Sequence, residues 1–362
     1  QHITILAPLT TWTLTFLCGT GHVVYTMFPI ISDIALKKGI RPERPMAVAS
    51  VASQMAITAS PVSVAVVSLV SILGAAHGIG HAYSILEILA ISVPASLCGV
   101  IVAALWSLRR GKDLDKDPEF QAKISDPKQR EFIYGNSETL LNQKFDKRAY
   151  WSTWIFFAAI LVVVLLGAFS ELRPSYEMKG VMKPLSMNLV IQMMMLIAGA
   201  IILMACKVKP ADISSGAVFK AGMVAIFSVF GVAWMSDTFF QAHMQDLKLV
   251  LEDVVKSQPW TYALVLFLVS KLVNSQAAAL TAIAPMGLQL GVDPKMLIAF
   301  FPAAYGYFVL PTYPSDLACI GFDRSGTTKI GKFIINHSFI LPGFIGVITS
   351  CIVGYVLVTS FM

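Results

Sequence analysis

The sequence predicts an all-α polytopic membrane protein in which two re-entrant hairpins and two broken helices form an inverted repeat, the first repeat being incomplete. Of the 362 residues, 56% are hydrophobic and 13% are charged, about half the charged fraction of a soluble domain. Several apolar regions reach the ~20 residues that a helix needs to span a bilayer, and four of them are interrupted. The composition excludes an ordinary soluble protein and argues against nucleic acid as a partner.

Five apolar regions run without interruption and predict continuous spanning helices. They cover residues 84–108, 150–169, 185–206, 217–239 and 333–360. The loop 109–149 carries ten basic and eight acidic residues in alternating order, which predicts a charged, solvated connector on the cytoplasmic side. Residues 241–257 place their apolar side chains on one helical face, as a helix lying in the membrane interface does.

Four further apolar regions contain a break. The regions and their breaks are 3–36 at Gly19-Thr20, 45–74 at Ser60-Pro61, 260–290 at Asn274-Ser275-Gln276, and 294–321 at Pro311-Thr312. The first and third regions predict hairpins, and the second and fourth predict broken helices. Irregular backbone at membrane depth is tolerated only where it is buried in protein or lines a wet cavity.

Lys and Arg residues set the predicted orientation, because cytoplasmic loops carry an excess of both. Four lie in residues 37–44 and ten in 109–149, whereas the loop 75–83 on the opposite side carries none. The basic side is therefore assigned to the cytoplasm, and the two hairpins open to opposite faces.

The breaks recur at nearly one spacing, which predicts the inverted repeat. They lie 40 residues apart from Thr20 to Ser60 and 37 apart from Ser275 to Thr312. Residues 1–108 form the remainder of the first unit. Residues 150–362 form the second unit, in which three scaffold helices at 150–239 come first. By symmetry the first unit should also begin with three helices, so we expect a fragment of a longer chain.

Paired broken helices in an inverted repeat indicate a secondary transporter with its binding site near the midplane.

The breaks predict an anion-binding site. Backbone N–H groups at the start of each following half-helix lack intrahelical partners, and the helix dipole adds positive charge there. Such ends bind carboxylates and phosphates. Hydroxyl and amide side chains beside the breaks add hydrogen-bond donors: Thr20, Thr58, Ser60, Ser63, Asn274, Ser275, Gln276 and Thr312. The alternative is that each merely caps an interrupted helix.

Three ionisable residues lie in or beside the breaks. Lys271, one turn before Asn274, either faces a substrate carboxylate or extends its ammonium to the interface. Asp316 pairs with Lys271, gates the pathway, or caps the half-helix after Pro314. His22 contacts substrate, accepts a proton, or is a structural histidine.

No cofactor, metal site or catalytic motif is expected. The five cysteines are scattered singly in apolar stretches, and the six histidines lack metal-ligand spacing. The sequence contains no HExxH, paired-Asp or nucleophile-elbow motif, so an enzyme is rejected. An anion channel stays open as a rival to a transporter, as does a sensory subunit that contacts its partner through 109–149.

Six stretches carry a resemblance to a known family. They read CGTGH at 18–22, IRPERP at 40–45, ITASPVS at 57–63, VNSQAA at 273–278, LPTYPSD at 310–316 and DRSGTT at 323–328. In this order they resemble the anaerobic C4-dicarboxylate transporters, the Dcu family, and look closest to its fumarate/succinate-exchanging branch. The resemblance runs from about residue 2 to the C-terminus, and family members are longer at the N-terminus.

The resemblance implies an antiporter of the bacterial inner membrane that exchanges fumarate, malate or aspartate for succinate during anaerobic respiration. It implies a substrate site at the hairpin tips and broken helices: Gly19, Thr20, Ser60, Pro61, Asn274, Ser275, Pro311 and Thr312. Uptake coupled to H⁺ or Na⁺ stays open. Besides the lipid bilayer, two partners also stay open. They are a second copy of the chain in a homodimer and a membrane sensor kinase that the transporter would co-regulate.

Overall fold

The protein is mostly helical over the residues that the computed structural model describes. These are residues 2–61, 63–75, 83–135, 146–178, 181–185, 187–216 and 259–362, with isolated positions between 217 and 258. Apart from those isolated positions, the predicted scaffold helix 217–239 and the predicted interfacial helix 241–257 lie outside the described residues.

The described residues form fifteen α-helices and two β-strands. The helices are α1 (His2–Cys18), α2 (Val24–Lys37), α3 (Glu43–Met55), α4 (Val64–Ala75), α5 (Ile85–Ser107), α6 (Pro118–Ile124), α7 (Pro127–Arg130), α8 (Lys147–Ala168), α9 (Met187–Ala205), α10 (Pro210–Ser215), α11 (Tyr262–Val273), α12 (Gln276–Gln289), α13 (Pro294–Ala299), α14 (Pro314–Phe322) and α15 (Ile340–Phe361). The strands are β1 (Ser175–Met178) and β2 (Val181–Pro184).

All four predicted interruptions are confirmed as breaks between helices. Helix α1 is separated from α2 by a bend and a 3-10 turn over Gly21–Val23, and α11 from α12 by residues 274–275. Helix α3 continues into a 3-10 turn over Ala56–Ala59 before the chain turns into α4. Each break coincides with the polar, Gly or Pro residues that interrupt the apolar run.

The broken helix predicted at 294–321 is less helical than expected. Helix α13 ends at Ala299, and only two 3-10 turns, Phe301–Ala304 and Tyr307–Val309, lie between it and the break before α14. Gly306 explains part of this geometry, because a Cβ there would overlap the backbone oxygen of Phe267. Its N–H donates to Ser270 Oγ at 2.7 Å instead of continuing a helix.

The last helix begins seven residues later than the predicted start at 333. Residues 330 and 337 form an antiparallel bridge, and the N–H of Gly331 donates to the carbonyl of Asn336 at 2.6 Å. Ser338 Oγ also accepts from the N–H of Lys329 at 3.0 Å. These local bonds hold 329–338 as a turn, because they occupy backbone groups that a helix would need.

The expectation of an all-α chain is wrong for one connection. Strands β1 and β2 form an antiparallel hairpin between α8 and α9, with Ser175 opposite Pro184 and Met178 opposite Val181. The ladder gives partners to the backbone N–H and C=O groups of this connection.

The apolar helices support a multi-pass membrane protein. Among the described residues, three segments are long and apolar enough to cross a bilayer: Glu43–Gly74, Ile85–Ser107 and Ile340–Phe361. Shorter apolar helices are His2–Cys18, Gln192–Ala205 and Tyr262–Val273. Large apolar side chains on α8 and α9 are two thirds exposed or more, as expected for a surface against lipid: Trp151, Trp154, Leu196 and Met204.

Each hairpin packs across to the other half of the chain. The second arm of the second hairpin, α12, packs against α4, which is the second half of the first broken helix. In the same way, α2 of the first hairpin packs against α14 of the second broken helix. Leu69 and Leu280 belong to one buried core cluster, and Phe28 and Cys319 belong to another. The two halves therefore share their cores.

The described part of the loop 109–149, residues 109–135, keeps most of its residues exposed and is docked on the protein through a few buried side chains. Leu114, Phe120 and Ile133 are buried against Leu36 at the end of α2. The ion pairs Arg41–Asp117 and Arg44–Asp113, each 2.6 Å long, tie the loop to the start of α3. Alternating charge did not reveal this docking, because the apolar contacts come from three residues far apart in the loop.

Helices α5 and α15 pack closely where Gly99 meets Gly346. A Cβ on Gly99 would overlap the backbone oxygen of Gly346 and would lie 2.7 Å from Met55 Cε. We expect Gly99→Ala to destabilise the protein by about 1–3 kcal/mol, because the backbone oxygen cannot move aside without a shift of α15. Thermal unfolding in detergent measures the effect. Gly199→Ala is the control, since no heavy atom lies within 4 Å of its added Cβ. Equal unfolding temperatures would contradict the close packing.

The docking of the loop can be tested by limited proteolysis. Phe120 is 3% exposed and Phe132 is 60% exposed in the same loop. Truncating a buried Phe to Ala costs about 3–5 kcal/mol, so Phe120→Ala should make residues 109–135 cleavable while Phe132→Ala leaves them resistant. Rapid cleavage of the parent protein at these residues would contradict the docking.

Candidate functional site

The two hairpin tips share one local geometry. Gly19 and Asn274 follow the first arms in the left-handed conformation, with φ of 70° and 51°. Gly adopts it without strain, and Asn is among the few other residues that tolerate it. Thr20 and Ser275 then take extended backbone and cap the next helical segment, accepting from the N–H of His22 at 3.4 Å and of Ala278 at 3.3 Å. Both hydroxyls therefore cap the helical segment that follows them, and their contact with a substrate stays a prediction.

The tips meet at one cavity of about 450 Å³. Its lining comprises residues 19–22, Ile57, Val64, Ala65, Gln192, Met195, residues 274–277, Tyr307 and Tyr313. The predicted residues Gly19, Thr20, His22, Asn274, Ser275 and Gln276 are thus brought together, although 252 positions separate His22 from Asn274. The His22 ring stacks on the Tyr25 ring, with 5.7 Å between the two ring centroids.

Three helical segments begin at the wall of this cavity. Gly21 begins the 3-10 turn that leads into α2, Val64 begins α4, and Gln276 begins α12. First-turn amides have no intrahelical partners, and the dipoles place partial positive charge at each start. The lining set given above contains no Asp, Glu, Lys or Arg side chain. The cavity wall therefore favours a small anion.

The Lys271 ammonium joins the second hairpin tip to the second broken helix. Its Nζ donates to Asn274 Oδ1 at 3.1 Å and to Thr312 Oγ1 at 3.0 Å. It also lies 3.1 Å from the carbonyl oxygen of Leu310 and 3.3 Å from that of Tyr307. The ammonium is partly buried, binds the carbonyl of Tyr307 and shares the carbonyl of Leu310 with the N–H of Thr312. Both interpretations of Lys271, the contact with a substrate carboxylate and the extension to the interface, stay predictions.

Asp316 is buried but does not contact Lys271. Ser50 Oγ of α3 donates to its Oδ1 at 2.8 Å. Its Oδ2 is buried with no hydrogen-bond partner in the described structure. Tyr313, not Asp316, is the N-cap of α14. The pairing and capping interpretations are therefore wrong, and the gating interpretation stays a prediction.

Five further predicted residues lie outside the cavity lining. Thr58 Oγ1 donates to the carbonyl of Met55 at 2.8 Å, and Ser60 Oγ donates to the carbonyl of Phe16 at 2.7 Å. Ser60 thereby binds a carbonyl in the last turn of α1. Pro61, Pro311 and Thr312 lie in their breaks as predicted, and Thr312 reaches the cavity only through Lys271 and Asn274.

A buried polar network beside the cavity was missed by sequence reasoning. Tyr307 OH donates to Gln54 Oε1 at 2.7 Å, and Gln276 Nε2 donates to the backbone carbonyl of Gln54 at 2.8 Å. Gln54 Nε2 lies 3.4 Å from Ser315 Oγ. One available signal was Gln54 itself, an amide in the middle of the apolar region 45–74. The network links both broken helices and the second hairpin.

The family of the chain follows from its similarity to known proteins. A family model described as "Anaerobic c4-dicarboxylate membrane transporter" matches residues 1–362. The chain belongs to this family. It is a family of membrane transporters and not of enzymes, as the sequence predicts.

Relatives within the family are similar over almost the whole chain. The anaerobic C4-dicarboxylate transporter DcuB of Escherichia coli O6:H1 is 57% identical over 356 residues, which cover 98% of this chain and 79% of the relative. The C4-dicarboxylate transporter DcuA of Wolinella succinogenes is 38% identical, with the same coverage of each. DcuA of Escherichia coli K12 is 36% identical over 100% of this chain and 80% of the relative. No solved structure matches the chain.

The Lys271 contacts predict that this side chain stabilises the folded protein. We expect Lys271→Met to lower the free energy of unfolding by about 1–3 kcal/mol, because it removes the Lys271 donor from the carbonyl of Tyr307 and one of the two donors to the carbonyl of Leu310, which also accepts from the N–H of Thr312. Thr312→Val, which removes one of four contacts, should cost less. Thermal unfolding in detergent measures both variants. Lys332→Met, at an exposed lysine, is the control. An unchanged Lys271→Met would mean that the ammonium does not stabilise the break.

Proposed function

We propose that the protein is a C4-dicarboxylate antiporter of the bacterial inner membrane that exchanges fumarate, malate or aspartate for succinate by alternating access. The observation that carries the proposal is the convergence of three helix starts on one cavity, at Gly21, Val64 and Gln276. A dicarboxylate has two anionic ends, and more than one helix N-terminus at the same cavity matches such a ligand. The relatives DcuB and DcuA are named C4-dicarboxylate transporters, which supports the C4 class.

The dimensions of the cavity support a small ligand. A volume of about 450 Å³ lies within the ≈ 300–1,000 Å³ range of small-molecule sites. Tyr307 and Tyr313 face each other with ring centroids 4.3 Å apart and give one wall an apolar body with polar tips. We assign Thr20, Asn274, Ser275 and Gln276 to the substrate, together with Gly19 and His22. Lys271 acts on it through Asn274.

The hairpins and broken helices are the elements that we assign to alternating access. The cross-packing of α12 on α4 and of α2 on α14 supports an inverted repeat, since each contact has a counterpart in the other half of the chain. Transporters of this kind bind at a fixed site between repeats and open it to each side in turn. The homodimer and the sensor-kinase contact stay predictions.

Asp316 favours a second candidate, which is uptake coupled to H⁺ or Na⁺. Its carboxyl is 1% exposed and one of its oxygens has no partner among the described residues. A buried carboxylate is costly unless a proton or a cation neutralises it. Exchange of one dianion for another is electroneutral and needs no such cation, so the two candidates differ in their need for a gradient.

Counterflow in proteoliposomes tests the proposal. We expect succinate loaded inside the vesicles to accelerate uptake of labelled fumarate several-fold with no ion gradient. The reason is that an exchanger turns its binding site back across the membrane only when a substrate occupies that site. Empty proteoliposomes and protein-free liposomes loaded with succinate are the controls. An anion channel would show no acceleration. Uptake that needs an imposed H⁺ or Na⁺ gradient, and that Asp316→Asn frees from this need, would favour the second candidate.

A further inference from the structure

The turn that precedes α15 exposes its largest apolar side chains. Phe333, Ile334 and Ile335 are consecutive, and they are 66%, 55% and 60% exposed. These three residues form the apolar tip of the turn. Single exposed apolar side chains are ordinary, whereas a contiguous group of them marks a contact with a partner or with a membrane.

The base of the same turn is fixed to the protein. Ile330 and His337 form an antiparallel bridge. His337 Nε2 donates to the carbonyl of Val309 at 3.0 Å, since that carbonyl can only accept. Arg110 Nη1 donates to the carbonyl of Ser338 at 2.6 Å. The apolar tip is therefore carried on an anchored base, on the same side of the protein as the charged loop that contains Arg110.

The length of α15 places the apolar tip at the membrane boundary. The helix has 22 residues, which at a rise of about 1.5 Å per residue span about 33 Å and match the ~30 Å hydrocarbon core of a bilayer. Its first residue, Ile340, therefore lies at one boundary, five positions after Ile335. Leu341 and Ile348 are exposed, so α15 presents apolar side chains outward from its first turn. The apolar tip thus lies at the level of the lipid headgroups, next to a helix whose exposed side chains suit lipid.

The charged residues of the turn are basic. Lys329 and Lys332 are exposed, and residues 329–339 contain no Asp or Glu. Lys332 Nζ lies 5.9 Å from the centroid of the Phe333 ring, so positive charge and apolar surface are adjacent. Lys329 pairs with Glu119 at 3.8 Å, but both side chains are more than half exposed, and such a surface pair contributes little. Both ammonium groups can therefore bind an anionic ligand.

This combination favours a phospholipid surface over a protein partner. Lys is depleted from protein–protein interfaces. Basic residues beside exposed apolar side chains are instead typical of segments that lie in the membrane interface. Anionic lipids of the cytoplasmic leaflet attract Lys and Arg that lie close to the membrane.

We propose that the apolar tip inserts between the headgroups of the cytoplasmic leaflet, and that Lys329 and Lys332 bind the phosphates of anionic phospholipids there. The tip does not belong to the cavity lining. The inference therefore goes beyond the proposed function and does not depend on it.

Spin labelling of the reconstituted protein measures the depth of the apolar tip. Ile334→Cys carries a nitroxide label in nanodiscs of equal parts phosphatidylglycerol and phosphatidylcholine. The signal of the labelled parent, which contains free cysteines, is subtracted. Oxygen concentrates in the membrane and a nickel chelate stays in water. We expect the ratio of oxygen to nickel collisions to be several-fold higher at residue 334 than at Gln129→Cys, an exposed control in α7.

Two other results would overturn the insertion. A label at residue 334 that nickel reaches as readily as the control would place the tip in water. A label that neither reagent reaches would show that protein covers the tip, either a second copy or another segment of the chain. Because Ile334 is exposed, Ile334→Cys removes few packing contacts and should unfold at the parent temperature.

The two lysines are tested by removal of their charge. Lys329→Gln combined with Lys332→Gln should lower the oxygen-to-nickel ratio at residue 334 in the phosphatidylglycerol nanodiscs. In pure phosphatidylcholine, this variant and the parent should give equal ratios. Lys116→Gln combined with Lys128→Gln removes the same charge from exposed positions of the loop 109–135 and should keep the parent ratio in both lipids. An unchanged ratio in the variant of Lys329 and Lys332 would overturn the contact with anionic headgroups.

Discussion

The need to satisfy backbone groups freed by helix breaks controls the structure around the cavity. Lipid offers no partner to these groups, so each N–H and C=O must find one in the protein or in a wet site. The carbonyl side is met by side chains: Lys271 binds the carbonyls of Leu310 and Tyr307, and Ser60 binds that of Phe16. The amide side is met in part by the hydroxyls of Thr20 and Ser275, and the cavity lies where three helical segments begin.

The same polar contacts connect elements that lie far apart in the sequence. Gln54 of α3 binds both Gln276 of the second hairpin and Tyr307 of the second broken region. Ser50, one helical turn earlier on α3, binds Asp316 of α14. Because buried hydrogen bonds are costly to leave unmade, a movement of one of these elements requires the others to move or to exchange partners. The network is thus a physical link between the cavity and the packing of the two halves.

The sequence predicted the breaks well because their causes are local. Gly19, Asn274 and the prolines at 61 and 311 disturb an apolar run at one position, and the chain breaks there. The start of the last helix at Ile340 and the β-hairpin depend on bonds between residues several positions apart, such as Gly331 with Asn336, which hydropathy does not show. Gln54 and Tyr307 were missed for a related reason. Hydropathy treats each as one polar residue in a span and does not show that they face each other.

Lys271 shows how a position can be predicted while its partners are not. A charged side chain within a membrane span is costly, so the sequence predicts that Lys271 faces a carboxylate, a cavity or the membrane interface. In the structure, four neutral oxygens surround the ammonium, one from the second hairpin tip and three from the second broken helix. Two of these oxygens are backbone carbonyls, whose dipoles stabilise a cation as helix C-termini do. With its donors occupied, Lys271 contributes positive potential beside Asn274 rather than a direct contact. Under the proposed function, direct contact with the substrate carboxylates is therefore assigned to the amides and hydroxyls at the hairpin tips.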